Sequence, residues 1–155
     1  MSEGKVLQIF ICSLKGEPMQ EVTEVLAMKG YGLEGDRYAI GQGAYTTGRN
    51  HVTLIASEAI SAANEELLEP FSSGETRRSI VTQGVDLNSL VGKVFVVGQA
   101  WFLGVKLCPP CSRPAMVGGR GSEQGELFQN AYENQGGLNA EIFGSGVIRV
   151  GDRIV

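Results

Sequence analysis

The chain has a single histidine, His51, and only three cysteines in 155 residues. With one imidazole at the start of an apolar strand, no Ser-His-Asp arrangement can be read, and His51 suits a hydrogen-bonded edge residue better than a base. A structural zinc site wants four ligands, and only Cys12 and His51 are available to complete the pair Cys108 and Cys111. Three is also an odd number of thiols, two of them separated by two residues, which does not describe the disulfide framework of a secreted protein. Basic excess is missing too: the formal net charge is −4, so a general nucleic-acid footprint is not expected. No run approaches the roughly 18 apolar residues of a membrane span, and the first residues, from Met1 to Lys5, lack an apolar h-region. These absences lead to the expectation of a soluble protein in the reducing cytoplasm.

At this length a single domain over residues 1–155 is expected, one that buries about 70% of its unfolded surface without covalent help. The 22 glycines follow no fixed period and read as punctuation between short strands, which suggests a mainly β fold. Val6 to Ser13 and Gln20 to Met28 predict a first hairpin around Lys15-Gly16-Glu17-Pro18. Val52 to Ile55 predicts a short buried strand, and Ser57 to Leu68 a helix with Ser57 as N-cap and Pro70 as its stop. Further strands are expected over Ser79 to Thr82, Val94 to Val97, Ala100 to Leu107, Ala140 to Phe143, and Val147 to Val155 with a Gly-Asp turn inside it. Leu127, Phe128, Ala131 and Tyr132 mark an amphipathic helix stopped by Gly136. Closure into a barrel would remove exposed edges.

The segment Leu107-Cys108-Pro109-Pro110-Cys111-Ser112-Arg113-Pro114 combines two thiols, a cation and three prolines in eight residues. Proline disfavours helix for the residue before it, so a stiff loop is expected here. Arg113 would favour the thiolate of Cys111, the form that attacks electrophiles or binds metals. Cys12, among aliphatics, fits the commoner role of a buried small hydrophobe. The C-x-x-C spacing invites a redox or zinc reading, yet Pro114 and Gly118-Gly119 do not continue into the helix a dithiol motif needs. Arg77-Arg78 at the start of a strand form a candidate anion site, since arginine suits bidentate recognition of phosphate or carboxylate; two solvated arginines are the plain alternative. Gly32-Leu33-Glu34-Gly35-Asp36-Arg37 permits a sharp turn with an acid and a base at its end. In Gly84 to Gly92, Asp86 and Asn88 suit the capping of a short turn. Val117 to Gln124 beside the thiol loop could serve as a ligand cover or as a passive tether.

Taken in order, Gly32 to Arg37, Val52 to Ile55, Arg77 to Asn88, Leu107 to Cys111 and Gly146 to Asp152 resemble the MOSC domain over nearly the whole chain. The resemblance implies a closed or partly open MOSC-type β-barrel with a few peripheral helices. It implies binding of molybdenum cofactor (molybdopterin), or handling of its sulfur, through Cys111 as the catalytic residue and metal ligand, with Cys108 as an accessory. Cofactor contacts are implied for Arg77, aligned with the arginine that meets the cofactor phosphate, for its neighbours Arg78 and Ser79, and for Asp36, Arg37, Asn88 and Arg113. Ser79 stands where the family has Asn, which removes one hydrogen bond. The family also carries an association with pyridoxal phosphate, and its longer members have an N-terminal barrel before this domain, whose share of the pocket is expected to be absent or supplied by a second subunit. Three functions follow: a reductase of N-hydroxylated bases with a redox partner, a carrier that takes sulfur from a desulfurase as a Cys111 persulfide, and a non-catalytic cofactor-binding module.

Overall fold

The alternation of apolar and polar residues resolves into strands that wrap around one another, in a computed structural model that describes residues 4–14, 16–37, 39, 51–67, 69–108, 119 and 121–155. The elements are β1 (Gly4–Ile11), β2 (Gln20–Val22), β3 (Glu24–Met28), β4 (Gly32–Leu33), β5 (Val52–Ala56), α1 (Ser57–Glu66), β6 (Ile80–Gln83), β7 (Val94–Val97), β8 (Ala100–Leu107), α2 (Gly121–Ala131), β9 (Leu138–Gly144), β10 (Gly146–Arg149) and β11 (Arg153–Ile154). Eight strands form one sheet in the order β11-β7-β8-β9-β5-β6-β1-β2, and a further pairing of β11 with β1 makes it ring-like. Closure is uneven, because β11, which joins β7 to β1, is only two residues long. The mainly β barrel expected from the sequence is therefore present. The pairing of β5 with β6 is parallel, and α1 forms part of the crossover such a pair requires.

Inside the ring lie Val6, Ile9, Leu54, Ile80, Phe102, Leu138, Ala140 and Ile142, joined by Val25, Ala27, Leu33 and Ile148 from the small antiparallel sheet β10-β3-β4. Val6 and Ile9 are an odd number of residues apart and would face opposite ways on a regular strand. A register shift between Val6 and Gln8 turns both inward. A second cluster covers the outer face of the sheet, where Phe10, Ile55 and Val81 meet Ile60, Ala63, Phe71, Phe128 and Tyr132. Phe128 lies 4.5 Å, centroid to centroid, from both Phe71 and Tyr132, and these rings bind α2 to the barrel.

Several expectations need correction. Gln20 to Met28 is not one strand: β2 pairs with β1, while β3 after Thr23 joins the small sheet. Similarly, the Gly-Asp turn near the C-terminus closes no hairpin of its own, since β10 pairs with β3 and β11 with β1 and β7. Local alternation cannot distinguish a partner in the same sheet from one in another. Ser57 is the first residue of α1 rather than its cap; Ala56 holds that place without a side-chain bond, and the helix ends at Glu66. The amphipathic helix is present, but the left-handed residue after it is Asn134 (φ 62°), ahead of Gly136.

Phe128→Ala should lower unfolding free energy by about 3–5 kcal/mol, measured by urea denaturation, because it empties the contact between both rings.

Candidate functional site

Three chain segments distant in sequence meet where β1 ends. Gly35, at φ 84°, takes a left-handed conformation that costs glycine little, and the turn it makes presents Asp36 to the end of β1. The Asp36 carboxylate accepts from the Cys12 amide at 2.8 Å, and the Arg37 amide donates back to the Cys12 carbonyl at 2.6 Å. Arg37 Nη1 lies 3.3 Å from Asp36 Oδ1, and its Nη2 reaches the Arg77 carbonyl at 3.5 Å. Arg77 in turn donates from Nη1 to the Glu17 carbonyl at 2.6 Å, with Nη2 3.8 Å from Cys12 Sγ. Asp36 is 1% exposed, and Arg37 and Arg77 are 5% exposed each. The Arg37 guanidinium thus stands against Asp36, while that of Arg77 is turned to the Glu17 carbonyl and the Cys12 sulfur.

Cys12 is buried, as expected of a small hydrophobe, yet its surroundings are polar. Its thiol donates to the Leu14 carbonyl at 2.8 Å and lies 3.2 Å from that of Glu17. The sequence reading missed this, because the flanking strand is aliphatic and Arg77 arrives from 65 residues away.

Arg77 follows a 3₁₀ turn, Gly74–Thr76, and is itself left-handed at φ 64°, a conformation uncommon for a residue with a side chain. Consecutive arginines consequently diverge. Arg77 lines a cleft of about 430 Å³ with Phe10, Pro18, Met19, Glu21 and Glu75. Arg78 crosses instead toward α2, donating from Nε to the Gly136 carbonyl at 2.7 Å. Its charge and burial act oppositely on Tyr132: burial pushes the phenol up to about 12, against the pull of the Arg78 guanidinium.

Of the remaining sequence candidates, Ser79 is buried and Asn88 is separate from the Cys12 cluster. The Ser79 amide donates to the carbonyl and hydroxyl oxygens of Thr53, both at 3.1 Å. Asn88 Nδ2 donates to the Asn134 carbonyl at 2.9 Å and lines a different cleft with Glu58, Asp86 and Gln135. Asp86 precedes the short turn Leu87–Leu90 as expected but makes no side-chain cap bond. His51 accepts from the Ile142 amide at Nδ1, 2.9 Å away, the hydrogen-bonded edge role predicted for it. Cys108 is buried. Cys111 and Arg113 lie outside the described residues, as do Val117, Gly118 and Arg120 of the segment Val117 to Gln124, whose last four residues begin α2. Among the described residues, no group of three His, Cys, Asp or Glu could hold a metal ion, and no helix is long and apolar enough to cross a membrane.

The family model for the MOSC domain matches residues 33–155. The chain belongs to the MOSC domain family. The matched span contains Asp36, Arg37 and Arg77, whereas Cys12 lies before it. Among solved structures, this MOSC protein is similar to the YuaD protein from Bacillus subtilis, with a TM-score of 0.82 and 16% identity over 99% of this chain and 94% of that one. YiiM from Geobacillus stearothermophilus follows at TM-score 0.71 and 16% identity, covering 98% and 74% of the two chains. YiiM from Escherichia coli gives 0.69 and 17%, covering 97% and 68%. At such identities the likeness is one of fold. No curated protein matches the sequence.

Asp36→Ala leaves Arg37 buried without its carboxylate and should cost about 3–5 kcal/mol, measured by chemical denaturation. For Tyr132 the folded value exceeds the ordinary 10.0, so its contribution to stability is intact below pH 10 and is lost as pH rises through about 12. Titration followed at 295 nm should show a phenolate step near pH 12 that is missing in Tyr132→Phe.

Proposed function

We propose that this MOSC protein binds molybdenum cofactor, or handles the sulfur it carries, with Arg77 and Arg37 serving the anionic end and Cys111 as the reactive sulfur. The observation that carries this reading is two buried arginines held next to each other, Arg37 against Asp36 and the Arg77 carbonyl, and Arg77 at the wall of a cleft, in a chain of net charge −4. The residues present fit the group chemically. A guanidinium suits a phosphate, and Phe10, Pro18 and Met19 offer the apolar surface that a planar ring system prefers. When bound, the cofactor supplies a metal centre able to exchange two electrons, the chemistry that reduction of N-hydroxylated bases requires. This chain's own residues then hold the anion, exclude water from the ring and present a thiol. A redox protein would be the partner of such a reductase, and a desulfurase the partner of a sulfur carrier acting through a Cys111 persulfide.

Expression in a host that makes the cofactor tests the proposal. Purified protein should carry molybdenum by elemental analysis and release a fluorescent pterin on oxidation. Arg77→Ala should retain roughly ten- to a hundredfold less, as expected from losing about 1.5–3 kcal/mol of charged hydrogen bonding. In the same protein, intact-mass measurement after incubation with a desulfurase should show one added sulfur that Cys111→Ser lacks if the sulfur is carried as persulfide. Wild-type protein with no molybdenum, no pterin and no added sulfur would sink the reading.

A further inference from the structure

The amide, carbonyl and thiol of Cys12 are all engaged. Through its main chain the residue is tied to the turn after β4, its amide donating to Asp36 Oδ1 at 2.8 Å and its carbonyl accepting from the Arg37 amide at 2.6 Å. The thiol has a different set of partners. It donates to the Leu14 carbonyl at 2.8 Å and lies 3.2 Å from the Glu17 carbonyl, the oxygens at the two ends of the turn between β1 and β2. That turn is closed by a bond from the Glu17 amide to the Leu14 carbonyl at 3.2 Å and passes through Gly16 at φ 87°. The Glu17 carbonyl is shared, since Arg77 Nη1 donates to it at 2.6 Å, and the other terminal nitrogen of Arg77 lies 3.8 Å from Cys12 Sγ. Directly after the turn, Pro18 and Met19 form a wall of the Arg77 cleft, and Met19 Sδ is 3.4 Å from Arg37 Nη1.

A buried cysteine acting as a small hydrophobe needs none of these partners. We infer that Cys12 is a positioning residue for the Arg77 cleft: its thiol clasps the turn that ends at Glu17 and so fixes the carbonyl on which the Arg77 guanidinium is oriented. The inference rests on the reading of Arg77 as the ligand of an anion. Cys12 is 2% exposed and does not line the cleft, so it acts through Arg77 and the Pro18-Met19 wall rather than by touching a ligand. An arginine side chain has many rotamers, and restricting them before the ligand arrives improves binding without any new contact. A planar guanidinium held at one terminal nitrogen and flanked by sulfur at the other has few orientations left. Serine at position 12 would keep a donor, and 2.8 Å is an ordinary separation for a hydroxyl and a carbonyl. Valine would keep the apolar volume and lose the donor.

Calorimetric titration with inorganic phosphate, melting temperature, and molybdenum and pterin content after expression in a cofactor-producing host, compared in wild type, Cys12→Ser and Cys12→Val, test this role. Cys12→Val should bind phosphate roughly three- to tenfold more weakly, the loss expected of one neutral hydrogen bond, and Cys12→Ser should keep the wild-type affinity. A purely apolar role predicts the opposite order, with Cys12→Val equal to wild type in melting and binding and Cys12→Ser below it. Should Cys12→Val fail to fold, Cys12→Ala lacks the donor equally and replaces it. Phosphate bound as tightly by Cys12→Val as by wild type, or as weakly by Cys12→Ser as by Cys12→Val, overturns the inference. Cofactor present in wild type and undiminished in Cys12→Val does so too and leaves the proposed function standing. Phosphate binding that depends on the residue 12 donor, in a protein that takes up neither molybdenum, pterin nor sulfur, supports the inference and sinks the proposed function alone. Wild type that binds neither phosphate nor cofactor overturns both.

Discussion

The Asp36 carboxylate is the joint on which the site depends. It accepts the amide of Cys12 at the end of β1 and stands against the guanidinium of Arg37, so one buried charge ties a strand of the large sheet to the turn that follows β4. Without it, Arg37 would be a buried cation lacking its counter-charge, which is costly in a low-dielectric interior. Because Arg37 also reaches the Arg77 carbonyl, the same joint extends to the start of β6. The geometry at Cys12 is thus a consequence of three segments held by a single acid.

From that joint the backbone at Arg77 sends consecutive arginines to two different places on the barrel. A left-handed residue there sends one arginine to the cleft beside β1 and β2 and the next to the groove beneath α2. The outer face is further shaped by Gly137, where a Cβ would overlap the carbonyl of Leu54, so β5 and the segment before β9 approach more closely than side chains permit. That approach brings Asn139 level with Thr53.

Much of the barrel was legible in the sequence because strand alternation is a local signal. Val52 to Ile55, Val94 to Val97 and Ala100 to Leu107 each read as strands and are strands. The division of Gln20 to Met28 between two sheets was not legible, since pairing is decided by what lies opposite. The family motifs pointed to Asp36, Arg37 and Arg77, whose meeting the structure displays. They gave no sign of Cys12, which lies before the matched span, or of Asn139, a buried polar residue near the start of β9. An asparagine between Leu138 and Ala140 was the one available signal, and it gains meaning only when its neighbours across the sheet are known.

The residues alone determined that this chain would be mainly β, that glycines would turn it, and that its arginines before β6 were suited to anions, because these follow from side-chain chemistry and short-range backbone preference. Tertiary structure alone decided that Arg77 and Arg78 part company and that Cys12 lies against a cation. Those outcomes depend on strand register and on contacts between segments more than twenty residues apart, where no local pattern in the chain carries information about which groups will meet.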